Sequence, residues 1–417
     1  MEYGCIGEKL AHSFSKIIHN KLCDYTYELR EIDKNELDAF MRRADFKAIN
    51  VTIPYKQAVM PYLAEIDEQA KAIGAVNTIV NRGGKLYGYN TDFSGLRALI
   101  LKNGIDLQNK KVLILGSGGT SKTALAVAKS LGAACALRVS RHADTADCTY
   151  EEAVKHHADA QIILNTTPCG MYPHLGDMAL DPDVFPALCG VADAVYNPLS
   201  SALVVRAREK GIKATGGLYM LVAQAVFAAE KFTGITFPSG EIDRIWGELV
   251  REKKNLVLIG MPGSGKTTVG KAVAERTGRR FIDTDEEIVR AVGKTIPTLF
   301  AEVGEAGFRK IESAVIEKVA AEQSAVIATG GGAVLNHRNM AMLKENGTVL
   351  FLDRPVEQLV TTDDRPLSSN KELLYRRFEE RYALYCAEAD LRIDASHDLP
   401  TNINEVLNRE NSCNQWA

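Results

Sequence analysis

The chain contains 417 residues, enough for two to four domains of ordinary size. Hydrophobic residues make up 46% of it and charged residues 25%, close to the average of globular proteins, which argues against wholesale disorder and against collagen-like or coiled-coil repeats. The formal net charge of -3 provides no overall basic field, so we expect neither nucleic acid nor a membrane as a partner. No apolar run reaches the roughly 20 residues that a membrane span needs.

The cysteines and the first residues bear on the cellular compartment. Eight cysteines are scattered along the chain, and none of them forms a C-x-x-C pair of the kind that holds zinc or exchanges thiols. Met1 to Cys5 lack the basic and then apolar pattern of a secretory signal. We therefore expect reduced thiols and a cytoplasmic protein.

The first hundred residues carry three polar clusters. Ser13 and Ser15 place two hydroxyls two positions apart, and a strand-like run with a proline delivers Lys56. Asp92 stands at the start of a helical pattern, where an aspartate is also typical of an ordinary helix cap. Each residue alone therefore fits a structural role, and only the combination of the three clusters indicates a site.

A glycine-rich turn follows the apolar run Lys111–Leu115 and precedes a helical pattern that extends to about Leu131. This order opens a βαβ unit, in which a phosphate group binds at the N-terminus of the helix. The turn is an imperfect G-x-G-x-x-G because a serine stands in the third place, so it also fits a purely structural turn. The residues expected at the cofactor are Gly116, Gly118, Gly119, Thr120 and Ser121.

The next predicted strand, Cys135–Val139, leads to Arg141. An NAD site requires an acidic residue near this point, whereas an NADP site requires an arginine. Arg141 therefore favours NADP, although His142 to Thr145 add no second basic residue and NAD stays open as the alternative. Further strands are predicted at Gln161–Asn165 and Val191–Tyr196.

The chain divides near residue 250. A helical pattern that begins at Glu241 ends in a charged stretch, and a new first strand follows it, so we place a joint at 248–254. The expected domains are 1–247 and 255–417. Since strands alternate with helices throughout, we predict an α/β fold with parallel, helix-covered sheets.

The second domain opens with a complete G-x-x-x-x-G-K-[ST] motif at Gly260–Thr267. It stands between the predicted strand Asn255–Ile259 and a helix that extends to about Thr277, as a phosphate-binding P-loop requires. Lys266 would reach the β- and γ-phosphates of a nucleotide, and the Thr267 hydroxyl would ligate Mg²⁺. The residues expected at ATP are Gly263, Ser264, Gly265, Lys266, Thr267 and Thr268.

Charged residues behind the P-loop indicate an acceptor site. Asp283 and Asp285 lie at i and i+2 after a predicted strand, which would put both carboxylates on one face of an extended chain. Arg309 and Glu312 lie one helical turn apart. This ordered set of charged residues behind the P-loop predicts where the acceptor of the phosphoryl group binds.

Four further features follow in the chain. The predicted strand Ala325–Thr329 leads into the glycines 330–332, and another strand is predicted at Thr348–Leu352. Arg365 stands in a polar stretch, and Arg381 lies on a charged helix.

In this order the motifs resemble shikimate kinase, from about Asn255 to Asn408. The resemblance implies a nucleoside monophosphate kinase-like fold. It implies Asp285 as the carboxylate that binds the acceptor hydroxyl and takes its proton, Asp283 beside Thr267 at Mg²⁺, and Arg365 on a lid over ATP. The residues that would hold shikimate are Asp285, Arg309, Gly331, Gly332 and Arg381. The lid is short, with Thr361 and Thr362 near where many members carry an arginine against adenine.

The three earlier clusters are followed by Asn165-Thr-Thr-Pro168, Tyr196-Asn-Pro198 and the run from Gly216 to Gln224. In this order the motifs resemble shikimate dehydrogenase over about residues 1–247. The resemblance implies a two-lobed enzyme, with a substrate lobe at about 1–95 plus 221–247 and a Rossmann-like NADP lobe at about 96–220. Lys56 and Asp92 would form the catalytic pair. Substrate contacts are implied for Ser13, Ser15, Thr52, Asn77, Asp92, Tyr196 and Gln224. The nicotinamide side of the cofactor would be flanked by Thr166, Gly217 and Met220. Lys16 stands where a proline is usual, and Tyr219 where a small residue is common.

Together the resemblances imply a bifunctional enzyme of the shikimate pathway. One half would reduce 3-dehydroshikimate to shikimate with NADPH, and the other would phosphorylate shikimate with MgATP. The residues alone support an NAD(P) reductase joined to a small-molecule P-loop kinase. Two alternatives stay open: a quinate/shikimate dehydrogenase that prefers NAD, and a catalytically inactive regulator that senses the same ligands. The oligomeric state is not predicted.

Overall fold

The computed structural model describes residues 1–10, 14–359 and 371–413. The chain divides into two compact units, and short stretches between residues 172 and 205 belong to the second of them. The first unit contains Met1–Met171, Asp177–Asn197 and Arg206–Trp246, and the second contains Tyr172–Gly176, Pro198–Val205 and Gly247–Ala417. Among the residues described, no helix is both long enough and apolar enough to cross a bilayer.

The first sheet of the first unit is mixed, with strand order β2-β1-β3-β5-β6-β4. Its strands are β1 (Tyr3–Gly7), β2 (Tyr27–Glu31), β3 (Ala48–Val51), β4 (Glu65–Ile66), β5 (Thr78–Arg82) and β6 (Lys85–Tyr89). The prediction of parallel sheets is wrong here, because β5 pairs antiparallel with both β3 and β6. The β5–β6 hairpin turns at Gly83 and Gly84, whose φ angles of 60° and 85° suit a two-residue turn that a Gly-Gly pair allows.

Five helices accompany this sheet: α1 (Ser15–Leu22), α2 (Leu37–Arg43), α3 (Glu68–Ile73), α4 (Thr91–Lys102) and α8 (Leu218–Thr233). Helices α4 and α8 approach each other closely at Gly95, where an added Cβ would lie 2.7 Å from the carbonyl oxygen of Met220 and 3.0 Å from Gln224 Cβ. Because Gly95 has no side chain, the two helices can approach closely. Gln224, which lies one turn after Met220 on α8, therefore comes near the start of α4.

The second sheet of the first unit is wholly parallel, with order β12-β11-β10-β7-β8-β9. Its strands are β7 (Lys111–Leu115), β8 (Cys135–Ser140), β9 (Cys148–Thr149), β10 (Ile162–Asn165), β11 (Gly190–Asp193) and β12 (Lys213–Thr215), with helices α5 (Gly119–Ser130), α6 (Tyr150–His156) and α7 (Ala202–Glu209). Strand β11 ends three residues before its predicted end. The Asp193 carboxylate accepts hydrogen bonds from Asn165 Nδ2 and from the backbone N–H of Val195, both at 2.9 Å, and so turns the chain out of the strand.

The sheet of the second unit is also parallel, with order β14-β15-β13-β16-β17. Its strands are β13 (Asn255–Ile259), β14 (Arg280–Asp283), β15 (Ala325–Ala328), β16 (Gly347–Asp353) and β17 (Leu391–Asp394). The helices of this region are α9 (Glu241–Lys253), α10 (Lys266–Thr277), α11 (Thr284–Val292), α12 (Ile296–Ala320), α13 (His337–Asn346), α14 (Lys371–Glu388) and α15 (Leu399–Cys413). The predicted joint at 248–254 is helical as far as Lys253 because α9 continues through it.

The central strands of both parallel sheets are apolar after their first residue, which is Lys111 in β7 and Asn255 in β13. Every residue of β13 is buried, as are four of the five residues of β7. Strands that are covered on both faces consist of continuous apolar residues, which is why these two were predicted with correct bounds. Each is followed by a glycine with positive φ, Gly116 at 118° and Gly260 at 147°, where the chain leaves the sheet for a glycine-rich turn.

Candidate active sites

The first candidate site contains a lysine and an aspartate in direct contact. Lys56 Nζ lies 2.5 Å from Asp92 Oδ2, and the side chains are only 15% and 11% exposed. Lys56 comes from the turn after β3, and Asp92 comes from the first turn of α4. The predicted pair is therefore assembled across 36 residues of sequence, and the low exposure strengthens the charge–charge interaction relative to one in open water.

The start of α4 is held in place by hydrogen bonds from both sides of Asp92. Asn90 caps the helix by accepting a 3.1 Å hydrogen bond from the Phe93 N–H, and its own amide donates to the Ala75 carbonyl at 2.9 Å. Asn90 is thus the N-terminal cap of α4, and Asp92 does not fill the capping role that its position in the sequence also suggested. Its carboxylate instead gains from the positive N-terminal end of the helix dipole and from Lys56.

Asn77 belongs to a buried network beside this pair. Its Oδ1 accepts from the Thr91 N–H at 2.7 Å, and its Nδ2 donates to Thr91 Oγ1 at 3.1 Å. Asn50 continues the network by donating to Thr78 Oγ1 at 3.2 Å, and it accepts from Tyr27 Oη at 2.7 Å. Asn77 was predicted to contact substrate, and the structure shows in addition that it fixes the residue preceding Asp92.

His19 lies buried behind the network and is a scaffold residue. Its Nδ1 lies 2.7 Å from Tyr25 Oη, and its ring stacks on that of Tyr27 with centroids 3.9 Å apart. Burial lowers the pKa of His19 to about 3, against a smaller opposing effect of Asn50. The imidazole is therefore neutral near pH 7, and it contributes packing rather than charge.

The other predicted substrate residues lie on four separate elements of the first unit. Ser15 is the first residue of α1, Thr52 follows β3 directly, and Gln224 is buried on α8, where its amide donates to the Leu221 carbonyl at 2.9 Å. Tyr196 follows β11, and its ring lies 5.3 Å from that of Phe14, beside the start of α1. Ser13 lies outside the described residues.

The glycine turn after β7 has the form expected for a phosphate site. A Cβ on Gly116 would lie 2.7 Å from Thr166 Oγ1, whereas a Cβ on Gly118 or Gly119 would meet nothing within 4 Å. The open side at Gly118 and Gly119 leaves the start of α5 accessible to an anionic group. Thr120 is half-buried beside them. The Ser121 hydroxyl is buried and donates to the Gly118 carbonyl at 2.7 Å, so it stabilises the turn itself.

The remaining predicted cofactor residues differ in exposure. Arg141 is exposed just beyond β8, and within the described part of the chain it forms no ion pair. Gly217 is required by packing, since an added Cβ would lie 2.3 Å from the Ala194 carbonyl oxygen. Met220 is 8% exposed and belongs to the core beneath β7 and β10. Thr166 Oγ1 donates to the Leu115 carbonyl at 2.6 Å, which ties the end of β10 to the turn.

The second candidate site is a cavity of about 690 Å³ in the second unit, lined by the P-loop. Gly263 and Gly265 have φ angles of 81° and 94°, which point successive backbone N–H groups into the loop. Lys266 is buried and donates to the carbonyls of Gly260 and Met261 at 2.8 and 2.9 Å. Its ammonium is thus already held at the loop that would surround the phosphates.

The remaining P-loop residues divide between buried and exposed positions. Ser264 is buried inside the loop, and Thr268 is exposed on the first turn of α10. Thr267 Oγ1 donates to Asp283 Oδ2 at 2.8 Å, so the two predicted metal ligands lie next to each other. Mg²⁺ takes oxygen ligands and commonly binds one or two protein groups besides phosphates and water, which this hydroxyl and carboxylate fit.

The predicted geometry of the two aspartates is wrong in one respect. Asp283 ends β14 and caps α11, whose first turn contains Asp285, so the two residues do not share a face of an extended chain. The Asp283 carboxylate accepts from the Asp285 N–H at 3.0 Å and thereby starts the helix. Both side chains nevertheless line the same cavity.

Arginines, acids and glycines surround Asp285. A Cβ on Gly330 would lie 2.6 Å from Asp285 Oδ1, and one on Gly332 would lie 2.1 Å from Arg309 Nη1. Arg309 pairs with the buried Glu312 at 2.8 Å. Burial raises the pKa of Glu312, against the opposing effect of Arg309. The glycines are therefore required for the two side chains to approach the backbone.

Arg381 and Gly331 complete this end of the cavity. Arg381 is 5% exposed and donates from Nη1 to the Gly331 carbonyl at 3.0 Å, and Tyr385 Oη donates to the same oxygen at 2.5 Å. The predicted kinase residues Asp285, Arg309, Gly331, Gly332 and Arg381 thus lie together. Arg365, Thr361 and Thr362 lie outside the described residues.

Sequence reasoning missed several members of both sites. Asn50 stands in the same strand-like run that delivers Lys56, and its part in the buried network could have been suspected because it is the one polar residue of the otherwise apolar strand β3. Glu312 was predicted to lie one helical turn from Arg309 behind the P-loop, but its burial, with 1% exposure, was not predicted. Arg354 and Arg377 line the second cavity without any motif that marks them.

Two family models match separate parts of the chain. The model of the shikimate dehydrogenase substrate binding domain matches residues 5–79, and the shikimate kinase model matches residues 262–410. A shikimate dehydrogenase (NADP(+)) of Clostridium perfringens is 36% identical over 265 residues, which cover 59% of this chain and 97% of the relative.

Two solved structures are similar over a comparable share of the chain. A chorismate mutase/shikimate 5-dehydrogenase fusion protein from Clostridium acetobutylicum has a TM-score of 0.56 at 36% identity and covers 59% of this chain and 96% of its own. Shikimate 5-dehydrogenase from Thermus thermophilus, in complex with NADP(H) and shikimate, has a TM-score of 0.54 at 25% identity and covers 60% and 99%. The fold and site define a reductase joined to a P-loop kinase. The chain belongs to the shikimate dehydrogenase family, and a shikimate kinase domain follows in its C-terminal part.

Proposed function

We propose that this protein catalyses two consecutive reactions of the shikimate pathway: NADPH-dependent reduction of 3-dehydroshikimate to shikimate, and MgATP-dependent phosphorylation of shikimate to shikimate 3-phosphate. The dehydrogenase is assigned to residues 1–247 and the kinase to 255–417, with the joint at 248–254. The observation that carries the proposal is the presence of two separate sets of catalytic groups, the Lys56–Asp92 pair and the P-loop cavity with Asp285.

In the reductase, NADPH supplies the hydride when it is bound at the glycine turn and Arg141. Hydride delivery to a ketone creates negative charge on its oxygen, which must be stabilised and then protonated. Lys56 Nζ is the group that donates the proton. Asp92 holds Lys56 at 2.5 Å and accepts a hydrogen bond from a neighbouring hydroxyl of the substrate.

In the kinase, the reacting groups are a hydroxyl of shikimate and the terminal phosphate of ATP. Asp285 receives the hydroxyl proton, while Arg309 and Arg381 hold the carboxylate of the substrate by charge-assisted hydrogen bonds. Thr267 and Asp283 would hold Mg²⁺, which neutralises charge on the phosphates when bound. Lys266 supplies the fixed positive charge of the P-loop.

The two reactions fit one chain because the first creates the group that the second consumes. Reduction converts the ketone of 3-dehydroshikimate into the 3-hydroxyl of shikimate, and that hydroxyl then accepts the phosphoryl group. We place the protein in the cytoplasm, in keeping with free thiols at Cys5, Cys23, Cys135, Cys148, Cys169, Cys189 and Cys386.

The test supplies 3-dehydroshikimate, NADPH and MgATP to the purified chain and follows NADPH, shikimate and shikimate 3-phosphate over time. We expect shikimate to form and then to be phosphorylated. The variant Lys266→Ala should stop the sequence at shikimate with NADPH consumption unchanged. Failure of the wild-type chain to make either product would overturn the corresponding half of the proposal, and loss of NADPH consumption in Lys266→Ala would contradict the independence of the two sites.

A further inference from the structure

Arg354 is positioned against the P-loop although no motif marks it. Strand β16 pairs in parallel with β13, with Phe351 opposite Ile259, so both strands end at the same edge of the sheet. β13 continues into the P-loop there, and Arg354 directly follows β16. A Cβ added to Gly265 would lie 3.7 Å from Arg354 Nη1, and the arginine lines the 690 Å³ cavity.

The guanidinium of Arg354 has an unmet need for an acceptor. Its Nε is buried and has no hydrogen-bond partner, and within the described part of the chain Arg354 forms no ion pair. A buried charged donor that lacks an acceptor costs free energy, and such groups in native proteins commonly point to an unobserved ligand or ion. The side chain as a whole is only half-buried, so its other nitrogens remain accessible from the cavity.

The nearest acid in the sequence does not neutralise this arginine. Asp353 accepts a 3.1 Å hydrogen bond from Tyr382 Oη and pairs with Arg392. Among the acids of the cavity, Asp283 is bonded to Thr267. Glu312 pairs with Arg309, and Asp398 accepts from the Thr401 N–H. None of the described acids that line the cavity forms an ion pair with Arg354, so its positive charge stays available to a bound group.

We propose that Arg354 binds phosphate oxygens of the nucleotide and serves as the second fixed cation of the P-loop beside Lys266. The inference rests on the proposed kinase activity and adds a residue to its nucleotide site. An ammonium such as that of Lys266 is a compact point charge, whereas a guanidinium offers a planar fork that matches two oxygens. Arg354 thus supplies directional bonds that Lys266 does not, on the side of the loop that Gly265 leaves open.

The experiment measures the Kd of ADP for wild-type protein, Arg354→Gln and Arg354→Lys by calorimetry at several salt concentrations. Loss of a charge-assisted bond predicts a Kd about ten- to a hundredfold higher for Arg354→Gln. The slope of log Kd against log salt should also become shallower, because one ionic contact is gone. Arg354→Lys should keep the wild-type slope and lose only part of the affinity. Arg290→Gln, an exposed arginine on α11 paired with Glu287, is the matched control and should equal wild type.

The outcomes separate the inference from the proposed function. If wild-type protein bound no ADP, the proposed kinase would fail. If it bound ADP and Arg354→Gln bound equally well, the role of Arg354 would be wrong while the kinase stood. Weaker binding with an unchanged slope of log Kd against log salt would indicate that Arg354 contacts the adenine ring, and it would overturn the phosphate contact. Thermal unfolding of each variant checks folding, and a folded Arg354→Lys with reduced affinity supports the proposal even if Arg354→Gln is unstable.

Discussion

Replacement of Lys56 by methionine tests the reductase site most directly, because it removes the ammonium and keeps most of the side-chain volume. Lys56 and Asp92 are joined at 2.5 Å and are largely shielded from solvent. Loss of a positioned proton donor lowers turnover by about 10²- to 10⁴-fold. We expect NADPH oxidation with 3-dehydroshikimate to fall by that factor while ATP-dependent phosphorylation of shikimate is unchanged.

The same replacement should destabilise the first unit, since it leaves the Asp92 carboxylate without its partner. Removal of one member of a buried ion pair costs about 3–5 kcal/mol, and the N-terminus of α4 offsets about 1 kcal/mol of this for Asp92. The expected loss is therefore about 2–4 kcal/mol in the free energy of unfolding. Urea unfolding followed by the fluorescence of Trp246, which packs edge-on against Tyr219, measures it.

A double variant separates catalysis from stability. Lys56→Met with Asp92→Asn removes the unpaired charge, so stability should return towards wild type while turnover stays low. Lys47→Met, which breaks an exposed pair with Glu2 in the same unit, is the matched control and should leave both measurements near wild type. The reasoning is refuted if Lys56→Met keeps wild-type turnover, or if the double variant regains activity together with stability.

Three further predictions concern other parts of the molecule. Gly332→Ala should raise the KM for shikimate about ten- to a hundredfold, because the new Cβ would displace the Arg309 guanidinium. Kinase kinetics measure this, with Gly247→Ala, whose added Cβ meets nothing, as the control. Arg141→Asp should lower kcat/KM for NADPH by about ten- to a hundredfold and spare NADH. An equal loss with both cofactors would contradict the phosphate contact. In the folded protein the pKa of His19 is about 3, so the imidazole stays neutral until the pH falls to that value. In the unfolded chain it is protonated below the ordinary pKa of histidine, 6.5. The first unit should thus lose about 2–3 kcal/mol between pH 7 and 4.5, and His19→Phe should lack this loss in urea unfolding at the two pH values.

Sequence reasoning predicted the parts of the fold that local patterns determine. The bounds of β7 and β13 were predicted correctly because an apolar run ends at a glycine in both. The antiparallel hairpin at Gly83 and Gly84 was missed, although its Gly-Gly pair is a turn signal. The end of β11 could not have been predicted, since it depends on a bond between Asp193 and Asn165, 28 residues earlier.

The sites show the same division between local motifs and distant partners. Lys266 and Thr267 follow from a motif, because backbone geometry and chemistry coincide within eight residues. Asp285 was identified by resemblance, but its helical setting was missed because Asp283 acts as a cap. Arg354 has no motif at all, since its position depends on the parallel pairing of β16 with β13.

The small net charge of the chain now has a structural explanation. Both substrates and both cofactors are anions, and their binding needs cations, yet two of the cations at the sites are paired in advance with buried acids. Lys56 is held by Asp92, and Arg309 by Glu312. Such pairing orients the cation before the ligand arrives and lowers the cost of burying it. It also means that a bound carboxylate must share its cation with an acid of the protein, so affinity depends on a second cation nearby. In the proposed kinase we expect Arg381 to serve this purpose, because it is 5% exposed and lines the same cavity as Arg309.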